Sequence, residues 1–161
     1  YVADAKAHRI ASFDSAGRPR QSFGRRGTGE GEFNFPTNVG IAPDGSLLVT
    51  DAMNFRIQVF SPDGRFLRQF GRNGDAVGDL ARPKGVAIDS EGHVYVVEGL
   101  FDVVNVFDTE GRLLLSFGAP GHGRGEFWLA SGIAIDRQDR VYVSDSYNSR
   151  IQVLQYLAEA R

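Results

Sequence analysis

The chain of 161 residues has no cysteine, which excludes a disulfide framework, thiolate metal sites and haem attachment through a C-x-x-C-H motif. It leaves the redox compartment open. An excess of one charge is also missing: 18 basic and 20 acidic residues give a net charge of −2, so the chain as a whole sets up no field that would gather nucleic acid or anionic lipid. No apolar run approaches the roughly 18 residues that span a bilayer, and the first residues do not read as a signal peptide. What is abundant points the other way. Twenty glycines and 12 phenylalanines among short β-branched runs suggest many strands joined by tight turns.

Internal periodicity settles the architecture. Asp4, Asp51, Glu98 and Asp145 lie 47 residues apart, as do Ile10, Ile57, Val104 and Ile151, and Phe13, Phe60, Phe107 and Leu154. Phe23-Gly24, Phe70-Gly71 and Phe117-Gly118 follow the same step without a gap. Within one period, four runs alternate apolar and polar residues with the period of two that marks half-buried strands: Val39 to Ala42, Leu47 to Thr50, Ile57 to Phe60 and Phe66 to Phe70. Asp-Gly and Pro-Asp-Gly turns such as Pro43-Asp44-Gly45-Ser46 and Ser61-Pro62-Asp63-Gly64 separate them. Four strands joined by three hairpins form a small antiparallel sheet with two apolar faces. It can bury both only by stacking on further copies, as the blades of a propeller do.

Pro83-Lys84-Gly85-Val86-Ala87-Ile88-Asp89, the run from Val143 to Val153 and Phe66-Leu67-Arg68-Gln69-Phe70-Gly71 resemble the NHL repeat. The resemblance covers essentially the whole chain. It implies an all-β, NHL-type β-propeller, six-bladed in the complete protein, with about 3.4 four-stranded blades here as a partial ring. The expected division is a partial blade at 1–33, blades at 34–80 and 81–127, and a partial final blade at 128–161, or fourteen strands. An open stack leaves apolar blade faces in water. Closure is expected from a missing N-terminal half, the chain being read as the C-terminal half of a longer protein, or from a second copy. Gln155 to Arg161 lacks the pattern of a fourth strand, and Ala158 stands where the repeat calls for a turn glycine.

The most regular polar motif is an aspartate followed five residues later by arginine: Asp4 and Arg9, Asp51 and Arg56, Asp145 and Arg150. Each pair spans a hairpin between second and third strands and reads as a structural clamp, because a catalytic group would need one special copy. His8, His93 and His122 fall at different phases of the repeat and form no ligand set, so no metal and no cofactor is expected. Some propellers that resemble this chain, the peptide-amidating lyases, hold a catalytic metal on central histidines, and an absent half could supply such residues. A lyase or hydrolase therefore stands as an alternative. Some animal NHL domains bind single-stranded RNA on a basic face. Here Arg25, Arg26, Arg72 and Arg124 are interleaved with Glu30, Glu32, Asp75, Asp79 and Glu126, which argues against nucleic acid.

One repeat departs from the others. In 81–127 both clamp residues change together, to Glu98 and Val103, and the turn reads Gly99-Leu100-Phe101-Asp102, while Trp128 follows in the next repeat where Asn34 and Ala81 stand. Either Leu100 and Phe101 fold over the gap left by the arginine, or they form a contact site. The function expected from this reading is a binding scaffold for a protein or peptide, more a scaffold than an enzyme. Its face is built by interblade and second-to-third-strand loops, with Leu100, Phe101, Trp128, Arg26, Arg72 and Arg124 as its candidate residues. The loops resemble those of exported bacterial NHL proteins, which leans toward an extracytoplasmic place.

Overall fold

A computed structural model describes residues 1–155; the tail pattern read from Tyr156 to Arg161 lies outside them. The strands form four antiparallel sheets. The first holds β1 (Val2–Asp4), β2 (Arg9–Phe13) and β3 (Pro19–Phe23), and the second β4 (Pro36–Ile41), β5 (Leu47–Asp51), β6 (Arg56–Phe60) and β7 (Phe66–Phe70). The third holds β8 (Pro83–Ile88), β9 (Val94–Glu98), β10 (Val103–Phe107) and β11 (Leu113–Phe117), and the fourth β12 (Ala130–Ile135), β13 (Arg140–Asp145) and β14 (Arg150–Gln155). A single 3₁₀ turn at Ala52–Asn54 is the one helical element among the described residues.

Sheets with a neighbour on each side are buried on both faces. Every residue of β5, β6 and β9 is buried, whereas β14, with a sheet on one side only, alternates along its length. Apolar side chains accordingly gather in three clusters, one per sheet-to-sheet interface: Ile10, Phe33 and Phe60; Ile57, Leu80 and Val96; Val104, Phe127 and Val143. Each such side chain contributes about 1.5–3 kcal/mol by leaving water, so stacking carries the stability that one sheet lacks.

The first strand of the second sheet starts earlier than the alternation suggests, at Pro36 rather than Val39, because Pro36-Thr37-Asn38 pairs with β5 through a register shift and carries no apolar alternation. These inner strands approach one another closely. A Cβ on Gly85 would meet the Ser131 backbone oxygen at 2.9 Å, so β8 tolerates no side chain there without moving β12. At the opposite end of the sheets, turns of the Asp-x-x-Gly kind place their last residue at positive φ, including Asp139 (φ 56), which stands where Gly45 and Gly92 do in the other sheets. Asp139 also accepts hydrogen bonds from the Ser90 amide at 2.9 Å and the Ser90 hydroxyl at 2.6 Å, tying the turns of neighbouring sheets together.

Candidate binding face

Antiparallel pairing sends the hairpins 52–55, 99–102 and 146–149 to the same face as the intersheet loops 24–35, 71–82 and 118–129. On this face the Asp and Arg positions do more than span a hairpin. Arg56 donates from Nε to Asp51 Oδ2 at 2.8 Å and from its terminal nitrogens to Gln69 Oε1 at 2.7 Å, the Gly29 carbonyl at 2.8 Å and the Glu32 carbonyl at 3.0 Å. The guanidinium thus fixes the intersheet loop onto the hairpin. Asn54 donates to Asp51 and to the Gly27 carbonyl, both at 2.9 Å, and Gln58 bridges Asp51, the Glu32 carbonyl and the Gly31 amide.

The fourth sheet repeats this arrangement through Asp145, Asn148, Arg150 and Gln152, with Arg150 Nε 2.7 Å from Asp145 Oδ2. Burial alone would raise the pKa of the Asp145 carboxyl, but hydrogen bonds from the Trp128 amide, Asn148, Arg150 and Gln152 outweigh it and hold it below its ordinary value. In the first sheet Asp4 and Arg9 are 3.3 Å apart and both partly exposed to solvent. The glutamines were missed in the sequence. Gln58 and Gln152 are two periods apart, which was a usable signal, but Ala11 and Asn105 interrupt it.

The third sheet is built differently. Glu98 is wholly buried, and its extra methylene carries the carboxylate one residue further along the neighbouring loop. It accepts from the Arg82 amide at 2.8 and 2.9 Å and from the Leu100 amide at 3.0 Å, whereas Asp51 and Asp145 reach the amides of Asn34 and Trp128. No cation pairs with it among the described residues, and burial pushes its pKa above the ordinary value against the pull of these N–H groups. Asp102, buried, accepts from the Ala130 amide at 3.2 Å, which seats the turn against the start of β12.

The two apolar residues of that turn part company. Leu100 is 55% exposed, while Phe101 is half-buried and lines a cleft between the hairpin and the intersheet loop. Leu100 is not alone, because Met53 and Tyr147 hold the equivalent positions at 54% and 64% exposure. The comparison made in the sequence rested on the next position, Asn54 against Phe101, and so passed over this row. Trp128, 46% exposed, packs tilted against Tyr147 and edge-on against His122, ring centroids 5.5 and 4.9 Å apart. A groove of about 380 Å³ opens beside the row, with Phe35, Met53 and Phe55 on one side and Arg82 and Lys84 on the other.

The four arginines are spread over the three intersheet loops. Arg25 and Arg72 pair within their own loops with Glu32 at 2.9 Å and Asp79 at 2.7 Å, and Arg26 and Arg124 are exposed, with no salt bridge among the described residues. The histidines are dispersed: His8 accepts from the Phe35 amide, His93 meets Asp89 on the opposite face and His122 meets Asn148. Among the described residues no group of three or more histidine, aspartate or glutamate side chains is placed to hold a metal ion.

The chain is similar to several solved structures. Over 97% of its length it superposes on 51% of virginiamycin B lyase from Staphylococcus aureus, with a TM-score of 0.64 and 15% identity. The WD40 repeats of RRP9 match 93% of it over 46% of their own chain (TM-score 0.60, 16% identity), and a gluconolactonase from Xanthomonas campestris matches 88% over 43% (TM-score 0.58, 23% identity). The chain spans about half the length of these proteins, and at such identities the likeness shows the fold alone. No curated protein sequence matches it. The NHL repeat model matches residues 33–60 and 127–154, the two segments in which hairpin and intersheet loop are joined through arginine. These two segments match the NHL repeat, and the chain that carries them has the fold of stacked β-propeller blades.

Proposed function

We propose that this chain is a binding scaffold that takes a protein or peptide on the face formed by its second-to-third-strand hairpins and intersheet loops. The observation that carries the reading is the row Met53, Leu100 and Tyr147, three large apolar side chains at equivalent positions, all more than half exposed on a rigid framework. Trp128 and the groove beside Phe35 extend it. Side chains of this kind are costly to leave in water and contribute most when a partner covers them. The aspartates and arginines of the clamps on the same face, Asp51, Arg56, Asp145 and Arg150, are occupied in holding loops, which supports recognition over catalysis.

Panning a random peptide library on the chain tests this reading. Recovered peptides should lose at least tenfold in affinity for a triple variant, Met53→Ser, Leu100→Ser and Tyr147→Ser, whose melting temperature is unchanged. Equal affinity for the parent and the variant would refute it. The structural neighbours include a streptogramin B lyase and a gluconolactonase, and turnover of streptogramin B or of a gluconolactone would favour the enzymatic alternative.

A further inference from the structure

The cleft under Phe101 lies where the other two clamps hold their guanidinium. The Arg56 guanidinium meets the Gly29 and Glu32 carbonyls, Gln69 and Asp51, and the residues 47 further along are Ala76, Asp79, Ser116 and Glu98. All four line the cleft, together with Val103 in place of the arginine and Asn105 in place of Gln58. Its volume is about 120 Å³, several times what one water needs.

Two buried groups in it are left without their counterparts. Glu98 makes no salt bridge among the described residues, Arg82 acting on it only from a distance. Asn105 is 2% exposed, and its side-chain oxygen has no hydrogen-bond partner among the described residues, because a side chain one methylene shorter than Gln58 does not reach the loop amide that Gln58 binds. An orphaned buried acceptor is destabilising, and a buried carboxylate without a cation adds to that. Phe101, where the clamps of the second and fourth sheets have Asn54 and Asn148, offers a ring to a cation in place of an amide.

We propose that this cleft is a guanidinium socket, which receives the arginine side chain of a bound peptide where the second and fourth sheets use their own Arg56 and Arg150. The carboxylate of Glu98 and the backbone carbonyls of Ala76 and Asp79 accept its N–H groups, as Asp51, Gly29 and Glu32 accept those of Arg56. The elevated pKa of Glu98 agrees with a site that awaits a positive charge. The socket opens on the face proposed above and rests on that reading for its occupant, a peptide; its chemistry can be tested without one.

The probe is methylguanidinium chloride, titrated into the ¹⁵N-labelled chain at constant ionic strength and followed by amide shifts. Saturable shifts at Leu100, Phe101 and Asn105 are expected, at least tenfold weaker in affinity for Glu98→Gln and absent in Val103→Arg, whose own guanidinium fills the socket and raises the melting temperature. The proposal is overturned by shifts that do not saturate, by the same saturable shifts in Val103→Arg, or by calcium chloride or methylammonium producing them as well as methylguanidinium. A Val103→Arg chain that fails to fold also overturns it, since the cleft would then not accept the group. Loss of methylguanidinium binding with peptide binding intact would sink the socket alone, and the converse would sink the peptide reading and leave the socket.

Discussion

Asp51 and Arg56 face each other across a hairpin, with the carboxylate wholly buried and the guanidinium Nε 2.8 Å away, and the same guanidinium holds the intersheet loop through the Gly29 and Glu32 carbonyls. Hairpin and loop are therefore one mechanical unit. Arg56→Ala leaves a buried carboxylate without its cation and takes one donor from each of two loop carbonyls, and the expected cost is about 3–5 kcal/mol by urea unfolding. Arg150, whose side chain is 32% exposed, should cost less, about 1–3 kcal/mol, because water can replace it. Equal losses, or an unchanged midpoint for Arg56→Ala, would contradict the account.

The clamps also set the acid limit of stability. A carboxyl whose folded pKa lies below its unfolded value stabilises the fold above the unfolded value, and that contribution is lost as pH falls through the folded pKa. Asp145 is lowered from 3.8, and Asp136 is held at about 2: burial would raise it, but hydrogen bonds from Arg140, Gln138 and Tyr142 prevail. Stability should decline as pH falls from about 4 toward 2, and Asp145→Asn should flatten part of that decline. An identical pH profile for the variant would count against it.

Glu98 runs the other way. Its folded pKa is raised above 4.5, so its contribution is complete below that value and is lost as pH rises through the folded pKa. Glu98→Gln, which keeps the shape and removes the charge, should therefore gain on the parent as pH rises from 4.5 to 8. Urea midpoints of the two chains that move in parallel over this window would show that the carboxylate is not penalised.

Gly85 tests the close approach of the inner strands. A Cβ there meets the Ser131 oxygen at 2.9 Å and the Ile133 nitrogen at 3.0 Å, backbone atoms that cannot turn aside. Gly85→Val should destabilise the chain by about 1–3 kcal/mol, as overpacking does. At Gly125 a Cβ meets nothing within 4 Å, and a substitution there answers only to its positive φ.

Much of the fold was legible in the sequence because a 47-residue period repeats the same alternation, turn chemistry and Phe-Gly step. The starts of the inner strands were not, since Pro36-Thr37-Asn38 has no alternation to read. The aspartate and arginine spacing showed which residues meet, but the partners of the guanidinium on its far side are backbone carbonyls, which any residue can supply. The cleft in the third sheet was hidden for the same reason. Glu98 and Val103 announced a departure, yet only the placement of Asn105, Ser116 and Phe101 around one space shows what the departure leaves open.

The most direct test of the binding face is hydrogen exchange of the chain with and without a selected peptide. Protection should appear in the hairpins 52–55, 99–102 and 146–149 and the intersheet loops beside them. Protection confined to the turns on the opposite face, where a cleft of about 260 Å³ lies between Pro43, Arg68 and Glu91, would contradict the assignment of this face as the one that binds.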